Sequence, residues 1–361
     1  MTFSLDAAYA LLYPHFQERL RRNESLAKHS PLGIGGQADL WVSLISRQEL
    51  IQLVQTCAEE HFPLLIVGNS SNMLFSDSGV EGIVAHVAAQ SFTIEKLGHD
   101  RARLVAEAGV NWPHLVYELA KQGWSGLEFG VSIPGTLGGS VVSNAGAHNS
   151  DVGQRLQWLE VLDARGANID GEETVAIPMV HRYEHNELDL SYRHSRFRAQ
   201  RSAHFDASGQ FVPAPRGMIE PAEIILQMAL LLYQDDPQRL AERIEAYKAA
   251  RQQNEPLQRH AGPIFKDPME GEAGHLIEQA GLKGFTVGQV QLSPHNANYL
   301  VNLGGARAQE VITLLTQIRA QVLERLGTRL SMDIEFQGRW EMAEAPSAET
   351  PHLGRSETPA G

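Results

Sequence analysis

The stretch EFGVSIPGTLGGSVVSNAGAH, residues 128–148, most constrains what this chain can become. It holds five glycines (Gly130, Gly135, Gly138, Gly139 and Gly146) and no charged residue after Glu128. Glycine has no Cβ, so it takes positive φ without steric cost and lets another group approach the backbone closely. Such a run fills a core poorly and reads as a loop built around something. A second loop of this kind opens at Gly68, where the apolar run PLLIV ends. There the small residues Gly68, Asn69, Ser70, Ser71 and Asn72 let backbone N–H groups converge into a nest suited to phosphate oxygens, with side-chain donors added. Neither loop is G-x-G-x-x-G before a helix or G-x-x-x-x-G-K-[ST], so both common nucleotide fingerprints are missing. Two tight turns without a ligand is the plainer alternative.

The surroundings of the loops mix strands and helices. At 361 residues the chain is too long for one small domain. Residues 5–22 read as an amphipathic helix with Pro14 as a break. SRQELIQLVQTCAEEH reads as a helix with Ser46 and Glu49 at capping-box spacing. Strands are expected at 63–68, 82–87, 102–109 and 157–163. Between the last two lies NWPHLVYELAKQG, a helix with Asn111 as N-cap and Gly123 just past its end. Residues 165–215 are polar and irregular. ILQMALLLY (225–233) is too short to type by period, but Asp235, Asp236 and Pro237 then start a helix, which favours a strand. A helix over 307–326 ends at Gly327, and the strand LSMDIEF follows. The last twenty residues have a disordered composition.

Composition excludes several classes. The formal net charge is −13 and the pI about 5.6, which disfavours nucleic-acid or anionic-membrane partners. No apolar run is long enough to span a membrane, and the N-terminus lacks a basic region before an apolar core. These features suit a cytoplasmic protein. The single cysteine, Cys57, reads as a small buried residue. There is no H-E-x-x-H or Cys/His cluster, and His181, His185 and His194 are scattered, so no metal site is expected. No G-x-S-x-G elbow is present. The apolar face of the 307–326 helix (Val311, Leu314, Leu315, Ile318, Val322, Leu326) could serve core packing or a docking partner.

Two further motifs sharpen the reading: LSYRHSRFR (190–198), and GPIFKDP (262–268) followed by AGHLIEQAGLKG and HNANYLVN. In order with HSPLGIGGQADLWV, the two glycine-rich loops and LSMDIEFQG, the chain closely resembles the UDP-N-acetylenolpyruvoylglucosamine reductase family, the flavoproteins of peptidoglycan synthesis. The resemblance runs from about residue 29 to 338, and the lack of a Tyr-bearing C-terminal insertion makes it similar to the shorter, type II form. It implies an α+β chain: an FAD-binding unit of the vanillyl-alcohol-oxidase (PCMH) type in two α+β subdomains, then a C-terminal α+β substrate domain. The corresponding division is an N-terminal helical segment (1–28), the FAD-binding domain (29–215), the substrate domain (216–340) and a tail (341–361). FAD, bound non-covalently, is implied at Gly68–Asn72 and at Gly130, Ile133, Pro134, Gly135, Gly138, Gly139 and Asn144. The implied partners are NADPH as electron donor and a UDP-sugar whose enolpyruvyl double bond receives hydride, with the protein acting as a monomer.

For the chemistry, the resemblance implies Arg193 as the catalytic arginine, whose fork can hold a carboxylate at two points. Tyr192, Lys266 and Asp267 are expected to line the substrate site. The departures lie at the proton-donating end. Where the family carries a proton-donor serine, this chain has Pro263, which offers neither hydroxyl nor N–H. Asp333 stands where the family has a glutamate, and Glu335 where many members have arginine. Ser293, His295 and Tyr299 are the candidate substitute donors. Three accounts stay open on sequence: a working reductase with a rerouted proton, a divergent flavoprotein with another substrate, and a non-catalytic or regulatory homologue.

Overall fold

The computed structural model describes residues 3–168, 177–198, 203–206, 208–214 and 216–340. The tail at 341–361 lies outside the described residues. The first seven strands are β1 (Leu20–Ser25), β2 (Gln37–Leu44), β3 (Leu64–Val67), β4 (Met73–Phe75), β5 (Val80–Val87), β6 (Phe92–Lys96) and β7 (Arg101–Glu107). Before them runs α1 (Leu5–Phe16), among them α2 (Arg47–Glu59), and after them α3 (Trp112–Lys121) and the short α4 (Leu137–Val142).

Two sheets form the first unit. In one, β1 pairs antiparallel with β2, and β2 and β3 both run parallel to β5. The short strand Ile219–Glu220 is parallel to β3 at the edge. The other sheet is antiparallel, in the order Met179–Glu184, Leu156–Asp163, Glu223–Gln234, β7, β6. The apolar run at 225–233 is a strand, as expected. It is continuous rather than alternating because it sits inside this sheet and packs against α2 and α4.

That strand moves the domain boundary drawn at 215. Its partners are first-unit strands, and Leu240 and Ile244 of the following helix α5 (Pro237–Asn254) lie in the same core. The second unit therefore begins near residue 255. Nor is the N-terminal segment separate: Ala8, Leu12 and Phe16 pack into the first core, and β1 is bonded along β2. Pro14 does not stop α1 at once; the helix ends at Phe16.

The caps follow the sequence with one change. The Ser46 hydroxyl accepts from the Glu49 N–H at 3.2 Å, but the Glu49 carboxylate takes the Ile45 N–H and Arg19 instead of closing the box. Asn111 caps α3, and Gly123 and Gly327 sit at positive φ behind their helices. Cys57 is fully buried on α2, and burial pushes its thiol pKa up, away from reactivity.

The second unit stacks α6 (Ala273–Gln279) and α7 (Ala308–Leu326) with a three-stranded antiparallel sheet formed by Thr286–Val287, Val290–Leu292 and Leu300–Asn302. Val311, Leu314, Leu315, Ile318 and Val322 of α7 are buried in its core. Most of the face considered for docking is thus used internally. Of LSMDIEF only Glu335 and Phe336 fall in a strand, Glu335–Gln337, which pairs parallel with β4 of the first unit. The chain thereby returns to the first glycine-rich loop.

Candidate active site

The two glycine-rich loops face each other. A Cβ on Gly68 would lie 2.5 Å from Thr136 Oγ1, and a Cβ on Gly135 would lie 2.7 Å from Ser71 Oγ. The loops could not close to this distance with side chains at those two positions. The second loop is fixed to the end of β7 by Leu137 N–H to Val110 O (2.8 Å) and Gly138 N–H to Ala108 O (2.9 Å). Thr136 caps α4, its hydroxyl accepting from the Gly139 N–H at 3.2 Å.

Together the loops form one side of a cavity of about 860 Å³. Its other walls are Arg193, Phe197 and Arg198, the segment Gly217–Ile225, and, from the second unit, Ala261–Pro263, Tyr299, Asp333 and Glu335–Gln337. Ser70 and Arg193 both hold positive φ (51° and 52°), which non-glycine residues rarely adopt.

Most of the expected site residues meet here. Gly68, Asn69, Ser70, Ser71, Asn72, Ile133, Pro134, Gly138, Gly139, Arg193, Pro263 and Asp333 all line the cavity. Six others do not. Gly130 lies under the Trp112 ring, where a Cβ would come within 2.1 Å of Cε2, so its glycine serves packing. Gly135 is tucked against Ser71 behind the wall. Asn144 is spent on two backbone partners, donating to Ser191 O and accepting from the Gly153 N–H. Tyr192 is 61% exposed and donates its hydroxyl to Asp267, which also accepts from the Ala273 N–H. Lys266 donates to the Arg193 carbonyl at 2.9 Å, supporting that strained backbone instead of facing the cavity.

Around Asp333 lies a cluster of charges. Arg198 Nη1 is 2.8 Å from Asp333 Oδ1, and Arg198 Nη2 bonds the Asp333 carbonyl. Arg198 Nε is 3.3 Å from Glu335 Oε1, while Arg193 Nε stands 3.8 Å from Asp333 Oδ2. Burial pushes the Glu335 carboxyl above the ordinary carboxylate range, and burial with Arg198 nearby pulls the Lys266 ammonium down. Three cations face two carboxylates, so the cluster has room for one further negative charge. Arg198 and Thr136 were not singled out from sequence. Arg198 closes the quoted LSYRHSRFR, and Thr136 stands three residues before Gly139 at N-cap spacing.

The unpartnered polar atoms suit a dinucleotide cofactor: a hydroxyl that can donate and an amide oxygen that accepts. Ser70 Oγ and Asn72 Oδ1 are buried and have no hydrogen-bond partner among the described residues, and both residues line the cavity. Beside them Gly68 and Gly139 line the same cavity, the Gly139 N–H being engaged by Thr136. Of the substitute proton donors, only Tyr299 reaches this cavity. The Ser293 hydroxyl accepts from the His295 and Asn296 N–H groups, and His295 faces Gln253 O. Among the described residues there is no cluster able to hold a metal ion and no helix long and apolar enough to cross a membrane.

Comparison with known proteins agrees with this layout. Residues 38–170 match the FAD binding domain family, and residues 253–337 match the C-terminal domain family of UDP-N-acetylenolpyruvoylglucosamine reductase. The second match begins where the structure starts the second unit. Proteins named UDP-N-acetylenolpyruvoylglucosamine reductase from Heliobacterium modesticaldum and Rubrobacter xylanophilus are 32% and 34% identical, over 90% and 88% of this chain and 92% and 94% of theirs. The crystal structure of the reductase from Thermus caldophilus superposes with a TM-score of 0.66 at 30% identity, covering 88% of this chain and 98% of that one.

Proposed function

The chain belongs to the UDP-N-acetylenolpyruvoylglucosamine reductase family, and from that premise we propose that it is the NADPH-dependent flavoprotein reductase of peptidoglycan precursor synthesis. It reduces the enolpyruvyl group of UDP-N-acetylglucosamine enolpyruvate to give UDP-N-acetylmuramate. The observation that carries the reading is the meeting of the two glycine-rich loops with the Arg193–Arg198–Asp333–Glu335 cluster in one cavity. The readings as a divergent or non-catalytic homologue have no such observation in their favour.

Bound FAD would accept hydride from NADPH and supply it to the substrate double bond. Gly68–Asn72 and Thr136–Gly139 would hold its diphosphate with backbone and side-chain donors. Arg193 would grip the substrate carboxylate with its planar fork, stabilising charge that builds beside it as hydride arrives. Lys266, through the Arg193 carbonyl, keeps that fork in place. Arg198 clamps Asp333 so that the acid faces the cavity in one orientation. The acidic charge balance favours small-molecule over nucleic-acid partners, and action as a cytoplasmic monomer is part of this proposal.

An anaerobic absorbance record tests this. NADPH should bleach the yellow protein, and the enolpyruvyl UDP-sugar should restore the oxidised spectrum. Bleaching without restoration would refute the substrate.

A further inference from the structure

Adding hydride to a carbon–carbon double bond also requires a proton for the second carbon, and Pro263 has none to give. Pro263 and Tyr299 form an antiparallel bridge and both line the cavity. Residues directly opposite in such a pair project from the same face, with Cβ atoms about 5 Å apart. A group carried by Tyr299 therefore works from the same side as residue 263. The Tyr299 ring is buried, and its hydroxyl donates to Glu255 Oε1 at 2.8 Å. Glu255 Oε2 lies 2.5 Å from Arg251 Nε and 3.8 Å from His260 Nε2. The His260 ring also packs edge-on against Tyr299, with centroids 4.9 Å apart.

Arg251 and Glu255 line a second cavity as well, about 610 Å³, which His260 also faces. The two cavities are thus joined through a tyrosine, a glutamate and a histidine. Resting on the function proposed above, we propose that Tyr299 gives the proton to the substrate carbon and that Glu255 reloads it from the second cavity. Hydride forms one C–H bond, and the Tyr299 proton forms the other as the π bond is lost. The O–H electron pair stays on the phenolate oxygen. A proton entering from water by way of Glu255 restores the hydroxyl. Burial next to Glu255 holds the phenol pKa high, so Tyr299 keeps its proton until a strong carbon base appears. The other cavity-facing acids are less suited: Asp333 and Glu335 are both bound to Arg198, on the wall that carries Arg193, Glu223 is held by Arg196 and Tyr183, and Glu220 by the Gly217 N–H and Arg216.

The test uses the FAD-loaded enzyme and the variants Tyr299→Phe, Tyr299→Phe/Pro263→Ser and Glu335→Gln. Each is followed by anaerobic reoxidation with the enolpyruvyl sugar, by calorimetric affinity for UDP-N-acetylmuramate, and by melting temperature. Tyr299→Phe should reoxidise slower by about a hundredfold, the usual scale for losing a general acid, with product affinity and melting temperature close to wild type. Serine at 263, on the same face, should recover at least about tenfold of that loss. The proposal is overturned if Tyr299→Phe reoxidises like wild type, and a loss in Glu335→Gln would then move the donor to Glu335. It is also overturned if product affinity falls together with the rate, since that would be a structural defect. Failure of wild type itself to reoxidise would remove the functional reading and this proposal with it, whereas failure of the Tyr299 arm alone leaves the reductase standing.

Discussion

Replacing Gly68 by alanine tests whether the two loops form one cofactor cradle. The new methyl carbon would lie 2.5 Å from Thr136 Oγ1 and 3.4 Å from its Cγ2. Gly68 has no positive φ, so the penalty is contact alone. Thr136 can yield only by turning its hydroxyl away from the Gly139 N–H, a cap worth about 1 kcal/mol. If it does not yield, overpacking costs about 1–3 kcal/mol. Either way the loops are pushed apart where the diphosphate is to sit, and at about 1.4 kcal/mol per decade the FAD affinity should fall roughly ten- to a hundredfold. Quenching of flavin fluorescence on titrating apoprotein measures this directly. Adding Thr136→Gly, which removes the struck atoms and as an N-cap costs only a few tenths of a kcal/mol, should recover much of the loss. An unchanged FAD affinity in Gly68→Ala, or an additive loss in the double variant, would refute the interlocked cradle.

Four other outcomes follow from the charge cluster and the cavity. Arg198→Met leaves Asp333 buried with only the longer Arg193 contact, so stability should drop by about 3–5 kcal/mol and the melting temperature by about 6 °C or more, by calorimetry. The more exposed Arg193→Met should lose under about 1 kcal/mol yet abolish reoxidation by the sugar. Glu335 holds its proton more tightly folded than unfolded; its stabilising contribution is therefore present at acid pH and lost as pH rises through the raised value. Glu335→Gln should flatten that decline in urea midpoints between acid and neutral pH. Acid precipitation should release all the flavin into the supernatant, because no covalent attachment is expected.

Much of this was legible in the sequence because it depends on local chemistry. Ser46, Asn111 and Gly327 declare helix ends, and a small-residue run after a buried strand declares an open backbone. What was not legible depends on distant partners. Gly130 looks like Gly138 in the chain, yet one lies under Trp112 and the other against Ala108 beside the cavity. The strand at 225–233 was readable as a strand, but its place between Leu156–Asp163 and β7 comes from pairings across more than sixty residues, so the boundary was drawn too early. Lys266 was read as a substrate anchor. That its ammonium meets the Arg193 carbonyl follows only from the folded path between the units.

Asn72 shows how the two ends of the chain depend on each other. Its side-chain amide donates to the Asp333 carbonyl and its own carbonyl accepts from the Glu335 N–H, across 261 positions in the first case. The first glycine-rich loop is made early in synthesis, but the wall that closes it is among the last parts of the fold to leave the ribosome. The first unit can assemble its sheets while translation continues. The cavity cannot be completed until Asp333–Gln337 arrive, so a chain cut short before them would fold most of its mass and still lack a finished site.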